Sequence, residues 1–112
     1  MKQILHIFLQ QLAGRFNISG TLQSMLNYKR SCLPYCFYNL FFKCTRISSS
    51  SKLVFGAEFL AEYCYKNLFN GCSNMTSTVS ELPFKKLKSN CYEQMFYQTG
   101  ISSAPELPAL SL

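Results

Sequence analysis

Apolar side chains recur at helical spacing along residues 51–71, SKLVFGAEFLAEYCYKNLFNG. At 100° per residue they fall on one stripe about 120° wide, while the charged side chains fall on the opposite side. The stripe consists of Leu53, Val54, Ala57, Leu60, Ala61, Cys64 and Leu68. The pattern predicts an amphipathic helix that Ser51 caps and Gly71 ends, because glycine adopts the left-handed conformation without a Cβ penalty.

Five aromatic side chains lie on the charged side of this predicted helix: Phe55, Phe59, Tyr63, Tyr65 and Phe69. Large rings on a solvated face are unusual, so a second helix packing over them is one interpretation. The other is an exposed surface that binds a partner or promotes aggregation. The sequence leaves both open.

The N-terminal segment, residues 2–13, also carries apolar side chains on one face of a helix. They are Ile4, Leu5, Phe8, Leu9 and Leu12. A soluble helix ended by Gly14 is the first interpretation. A signal peptide with Lys2 as its basic region, or a mitochondrial presequence lacking acids, also fits, although the cleavage site is poor.

Two further helices are predicted, one from Thr21 to Arg30 and one from near Pro83 to Gly100. Between the first of these and the central helix, residues 35–44 (YCFYNLFFKC) form a continuous aromatic run without a clear period, so a strand or a helix is expected. Four consecutive serines, residues 48–51, read as a linker.

Together these elements predict a mostly α fold. We expect a small single domain of about four short helices over residues 1–100, with the aromatic segment 35–44 between the second and third. Residues 101–112 hold two prolines and are expected to be a flexible tail. No internal repeat is expected.

The composition of the chain adds one hypothesis to this picture. Hydrophobic residues make up 48% of the chain and charged residues 14%, which is not the signature of a disordered protein. Aspartate and tryptophan are absent, whereas aspartate normally supplies turns and acidic surface. Usage of this kind also arises when pyrimidine-rich, non-selected DNA is translated. A chain without an evolved role is therefore one hypothesis.

The net charge of +6 is uneven, because residues 1–57 contain basic side chains and no acid. Such a half attracts phosphates or anionic lipid by long-range electrostatics. Aromatic and basic residues that could stack on bases and hold phosphates fall in two groups. These are Tyr28, Lys29, Arg30, Tyr35 and Lys43, and then Lys85, Lys86 and Lys88.

Six cysteines permit three disulfides, although free thiols that act as small hydrophobic groups are the preferred interpretation. They are Cys32, Cys36, Cys44, Cys64, Cys72 and Cys91. Zinc is not expected, since Cys32 and Cys36 form the single tight pair. Asn17 and Asn74 begin glycosylation acceptor sequences, which matter only in a secreted chain.

Catalytic chemistry is not expected. His6 is the single imidazole in the sequence, and no glycine-rich phosphate loop is present. We therefore predict no enzyme and no catalytic, cofactor-binding or metal-binding residue. The expected function is binding to a protein partner through the aromatic-rich residues 35–69, in an intracellular protein.

Two alternatives remain. One is a small secreted glycoprotein with disulfides. The other is a basic peripheral protein that binds RNA or lipid.

Overall fold

The computed structural model describes residues 14–27, 29–84 and 86–107. The chain winds in stacked coils, each made of an extended segment and a turn-rich segment. Strand β1 (Phe16–Thr21) pairs in parallel with strand β2 (Ile47–Val54), so that Phe16 lies opposite Ile47 and Thr21 opposite Val54. A bridge between Ser49 and Ser77 continues the same arrangement onto the next coil.

The turn-rich segments are three ribbons of equal length. Ribbon 1 covers residues 33–44, ribbon 2 residues 61–72 and ribbon 3 residues 88–99. Within each ribbon every second backbone N–H donates to the carbonyl three residues earlier, which closes a series of overlapping β-turns. The first coil therefore joins β1 to ribbon 1, the second joins β2 to ribbon 2, and the third leads from Ser77 to ribbon 3.

Every second turn of each ribbon holds its third residue at positive φ, as a type II turn requires. In ribbon 1 the first of these turns has Pro34 before Tyr35 (φ 60°), and proline is favoured at that position. The positive-φ residues occupy equivalent positions in the three ribbons. They are Tyr35, Asn39 and Lys43, then Tyr63, Asn67 and Gly71, then Asn90, Gln94 and Gln98.

The remaining N–H groups of each ribbon join it to the next one. Phe37 donates to the carbonyl of Cys64 at 3.0 Å, and Tyr65 in turn donates to the carbonyl of Cys91 at 2.9 Å. The same pattern recurs along the full length of both ribbon pairs. From Tyr35 to Cys44 and from Tyr63 to Cys72, every backbone N–H therefore has an acceptor, which burial in a core requires.

Side chains that point into the coil form columns that run through the three ribbons. One aliphatic column is Leu40, Leu68 and Met95, each no more than 1% exposed. Two columns consist of stacked rings. Across the wider aromatic core, which also contains tilted and edge-on neighbours of these rings, the ring centroids lie 5.3–6.5 Å apart. These ring columns are Phe37, Tyr65 and Tyr92, and Phe41, Phe69 and Phe96. Stacked pairs of this kind add about 0.5–1.5 kcal/mol each beyond their buried area.

The prediction of a mostly α fold is wrong. The described residues contain no helix of seven or more residues, and the single helical element is a 3₁₀ helix, Leu22–Leu26. The physical reason is the spacing of the inward-facing positions along the chain. Inward positions in a ribbon recur every four residues, which a 3.6-residue helix mimics while drifting about 40° per step. Leu60, Cys64 and Leu68 of the predicted stripe are spaced in this way.

The central predicted helix is replaced by strand β2 and ribbon 2. Ser51 lies within β2 instead of capping a helix. Five residues of the predicted inner face are nevertheless buried, namely Leu53, Ala57, Leu60, Cys64 and Leu68. Phe55, Tyr65 and Phe69, which the helical pattern placed beside the charges, are buried as well.

The other predicted elements change in the same way. The serine run is not a linker, because residues 48–51 belong to β2, where the buried Ser50 hydroxyl bonds Thr78 Oγ1 at 2.8 Å. Residues 35–44 form ribbon 1, and the predicted helix near Pro83 is replaced by ribbon 3. Within the predicted tail, Glu106 donates its N–H to the carbonyl of Ser80 and forms a bridge with Glu81, whereas residues 108–112 lie outside the described residues. The predicted N-terminal helix, residues 2–13, lies outside the described residues.

The expectation that the chain lacks an internal repeat is also wrong. Residues 35–44 (YCFYNLFFKC) and 63–72 (YCYKNLFNGC) are identical at six positions, and residues 90–99 (NCYEQMFYQT) follow the same order of thiol, ring, amide, aliphatic side chain and Phe. The ribbons stack in this register, so like side chains meet. Stacked coils of this kind stabilise one another, since one coil alone cannot bury its apolar side.

Among the described residues, none of the helical structure is long and apolar enough to span a bilayer.

Candidate functional site

The outer side of ribbons 1 and 2 carries a cluster of rings and cations, here called the aromatic face. It consists of Tyr35, Tyr38, Phe42, Lys43, Tyr63 and Lys66. The rings of Tyr35 and Tyr63 stack with centroids 4.8 Å apart and planes 6° apart. The Tyr38 ring lies against Tyr35 at 5.4 Å and a 44° tilt. These rings cross the boundary between the first two coils.

Backbone geometry places the two stacked tyrosines. Tyr35 and Tyr63 occupy the same position of their ribbons and both have positive φ, 60° and 58°. The ladder between the ribbons aligns them, because Tyr35 donates its N–H to Glu62 and Tyr63 donates to Ser89. A bulky residue at positive φ is uncommon and costs about 1–2 kcal/mol. The fold tolerates this cost twice, at the same position of ribbons 1 and 2. Ribbon 3 has Asn90 at the equivalent position.

Lysines cover the edges of the cluster. The Lys66 ammonium lies 5.3 Å from the Tyr63 ring centroid and 5.8 Å from that of Tyr38. It also lies 3.6 Å from the Glu93 carboxylate of ribbon 3. Lys43 lies 5.2 Å over the Phe42 ring. Cations over aromatic faces contribute about 0.5–1 kcal/mol at exposed sites, so these lysines are held near the rings.

The structure divides the predicted partner region, residues 35–69, into core and surface. Half of its rings are buried and support the fold: Phe37, Phe41, Phe55, Tyr65 and Phe69. Tyr35 is 46% exposed and Phe59 is 57% exposed. Phe59 lies apart from the aromatic face, under the guanidinium of Arg30 at 5.7 Å. The surface available to a partner is therefore smaller than the sequence suggests.

The basic residues proposed for RNA do not form one group. Arg30 donates to the Glu58 carboxylate, with Nε 2.8 Å away, and this hydrogen bond raises the pKa of the guanidinium. Lys43 belongs to the aromatic face, whereas Lys29 borders a cleft on the first coil. Lys86 and Lys88 lie on the third coil and are exposed. Tyr28 and Lys85 are outside the described residues.

The cleft on the first coil has a volume of about 740 Å³ and mostly apolar walls. Met25, Leu26, Leu33 and the thiol residue Cys36 line it, together with the basic side chains at its rim. Its size falls in the range of small-molecule sites. Sequence reasoning missed this cleft, since its walls come from the 3₁₀ helix and from the start of ribbon 1.

All six cysteines are free, and five of them are buried. Hydrogen bonds from Cys36 and Cys64 lower the pKa of Cys32, while the neighbouring Cys32 raises the pKa of Cys64. Burial raises the pKa of Cys44 to about 11 and that of Cys72 to about 12. The preferred interpretation, buried thiols within an apolar core, agrees with these positions.

We expect alkylation of the folded protein at pH 7.5 to modify Cys36 first, because it is the half-buried thiol and borders the cleft. Cys44 and Cys72 are expected to react at least about tenfold more slowly, since burial keeps them protonated. A pulse of iodoacetamide followed by peptide mass spectrometry measures the order. Cys36→Ser removes the fast site and Cys91→Ser keeps it. Equal labelling of all six thiols would contradict the buried columns.

The two acceptor asparagines differ in accessibility. Asn17 is exposed on β1. Asn74 is half-buried, donating its amide N–H to the carbonyl of Thr45 at 2.7 Å and accepting from Arg15. A glycan on Asn74 would replace one of the two hydrogens on this amide nitrogen. His6 lies outside the described residues.

The stacked tyrosines were not recognised from the sequence, although a signal for them exists. Tyr-Cys occurs twice, at residues 35–36 and 63–64, in the two closest copies of the repeat. Aligning these copies places Tyr35 over Tyr63.

Within the described ranges, histidine, cysteine and acidic side chains do not form a group of three or more suited to a metal ion. No family model, curated protein or solved structure matches this chain.

Proposed function

We propose that the protein acts by binding, and not by catalysis, and that the aromatic face of ribbons 1 and 2 contacts a protein partner. The observation that supports this is the stack of Tyr35 on Tyr63 with Tyr38 and Lys66 around it. Tyrosine is enriched at binding hot spots, where a large ring and a hydroxyl act together at low entropic cost. The stack also fixes the rings before a partner arrives, which lowers the cost of ordering them.

A non-catalytic role is supported by the ion pairs that two of the glutamates form. Glu58 pairs with Arg30, and Glu93 pairs with Lys66. Neither carboxylate lies in the cleft, which is lined instead by apolar and basic residues, Asn27, Ser31 and one thiol. The proposed function therefore needs no acid–base pair.

Replacing Tyr35 or Tyr63 with asparagine is expected to weaken partner binding about thirtyfold or more without disturbing the fold. Ribbon 3 already carries Asn90 at this position with φ 56°, so asparagine suits the backbone. Loss of a hot-spot ring costs about 2 kcal/mol or more, close to a thirtyfold loss of affinity. Quantitative affinity capture from the cells that make the protein would compare Tyr35→Asn and Tyr63→Asn with the wild type.

The matched control is Tyr97→Asn, which removes a ring that is 52% exposed on ribbon 3, outside the aromatic face. We expect the control to keep every protein that the wild type retains. If Tyr97→Asn loses the same proteins, or if the Tyr35 and Tyr63 variants lose none, the aromatic face is not the binding surface.

A basic peripheral protein that binds RNA or lipid is the second proposal. The observation favouring it is the placement of Lys43 and Lys66 over rings, where bases stack while cations hold phosphates. Salt separates the two proposals, because counterion release makes phosphate binding fall steeply as salt rises. A partner retained through the tyrosines alone would show a much weaker dependence.

A further inference from the structure

Ribbon 3 ends the stack of described ribbons with an edge made only of backbone donors. Its odd-numbered N–H groups close the turns, as when Met95 donates to Tyr92 at 3.0 Å. From Tyr92 onward, its even-numbered N–H groups have no acceptor among the described residues. These four donors, here called the donor edge, belong to Tyr92, Gln94, Phe96 and Gln98.

The carbonyls of ribbon 3 from Lys88 to Tyr97 all accept hydrogen bonds. Those of Ser89, Cys91, Glu93, Met95 and Tyr97 accept from ribbon 2. Those of Lys88, Asn90, Tyr92, Gln94 and Phe96 accept within the turns. The donor edge therefore offers N–H groups without carbonyls between them.

Because the donor edge offers only N–H groups, it excludes an ordinary β-strand as the segment that binds there. The edge of a β-strand alternates N–H and C=O groups, so half of the polar groups that it turns toward the donor edge would be donors facing donors. An occupant must present acceptors alone. A ribbon of the same kind does so, because ribbon 2 presents its even-numbered carbonyls to ribbon 1, for example Cys64 to Phe37 at 3.0 Å.

The side chains of ribbon 3 are also suited to contact with a further ribbon. Tyr92 and Phe96 are the last described rings of the two ring columns and are half-buried, each stacked on one ring of ribbon 2. A further ribbon would place a ring on their other side. The charges there are mixed, since Lys86 and Lys88 share the coil with Glu81 and Glu93, so they favour no phosphate polymer.

We infer that the donor edge binds a polypeptide segment carrying this same repeat, which adds as a further ribbon. The interface would continue the one that already joins ribbon 2 to ribbon 3, with the N–H of Phe96 donating as the N–H of Phe69 donates to Met95 at 3.0 Å. This inference does not depend on the aromatic face, which lies on ribbons 1 and 2.

Amide hydrogen exchange of the ¹⁵N-labelled protein tests the inference. In the free protein the odd-numbered amides from Cys91 to Thr99 are expected to be protected, and the four amides of the donor edge are expected to exchange fast. Adding a synthetic peptide of residues 61–72 should slow exchange of the donor edge about tenfold or more at saturation. A scrambled peptide and an alternating Val/Thr strand peptide of equal length are the controls.

Protection by the ribbon peptide alone supports the inference. Protection that is present in the free protein and disappears on dilution supports it too, because a second copy then supplies the segment. The inference fails if no peptide protects the donor edge, if the strand peptide protects it equally, or if these amides are protected at every dilution.

Discussion

Replacing Phe69 with alanine is expected to lower the free energy of unfolding by about 3–5 kcal/mol, because it empties the middle of a ring column. Phe69 is fully buried and stacks between Phe41 and Phe96, with centroids 5.7 Å away on each side. Domains of this size are stable by about 5–15 kcal/mol, so the loss is a large share of the total. Urea denaturation followed by circular dichroism measures it.

The matched control is Phe59→Ala. Phe59 is 57% exposed and contacts the Arg30 guanidinium at the surface, so we expect a loss below about 1 kcal/mol. The pair separates the stacked coils from the helix that the sequence pattern predicts, since that helix puts both rings on its charged side. Equal losses for the two variants would contradict the ring columns.

Replacing Gly71 with alanine is expected to cost about 2–4 kcal/mol, from left-handed strain and overpacking together. Gly71 has φ +83°, and a Cβ there would lie 2.8 Å from Lys43 Cγ and 3.2 Å from Lys43 Cα. The Lys43 backbone cannot retreat easily, because its N–H donates to Asn70 at 2.7 Å. Thermal and urea denaturation of the variant would measure the loss.

Gly20→Ala serves as the control for this variant. Gly20 also has positive φ, +95°, but a Cβ there meets nothing within 4 Å. Its expected cost is the strain alone, about 1–2 kcal/mol. A Gly71 variant no less stable than the Gly20 variant would mean that ribbons 1 and 2 are not packed as closely as described.

The sequence repeat was readable without the structure. Residues 35–44 and 63–72 share Tyr, Cys, Asn, Leu, Phe and Cys at the same positions, and comparing the chain with itself would have aligned them. For the serines of β2, in contrast, the sequence pattern predicts the wrong structure. A run of serines is typical of linkers, yet Ser50 is buried in the strand and bonds Thr78 of the next coil. Its strand conformation depends on a neighbour 28 residues away.

By itself, the sequence determined five of the core positions of residues 53–68, although it placed the buried Phe55 and Tyr65 on the opposite side. Leu60, Cys64 and Leu68 are buried in the coils as they would be in a helix. A spacing of four residues does not distinguish a helix from a ribbon of turns over this length. Only the tertiary structure decided between them, since the N–H groups of a helix bond within it, whereas those of Tyr65 and Phe69 bond the next ribbon. The same ladder stacks Tyr35 on Tyr63 and leaves the donor edge at ribbon 3.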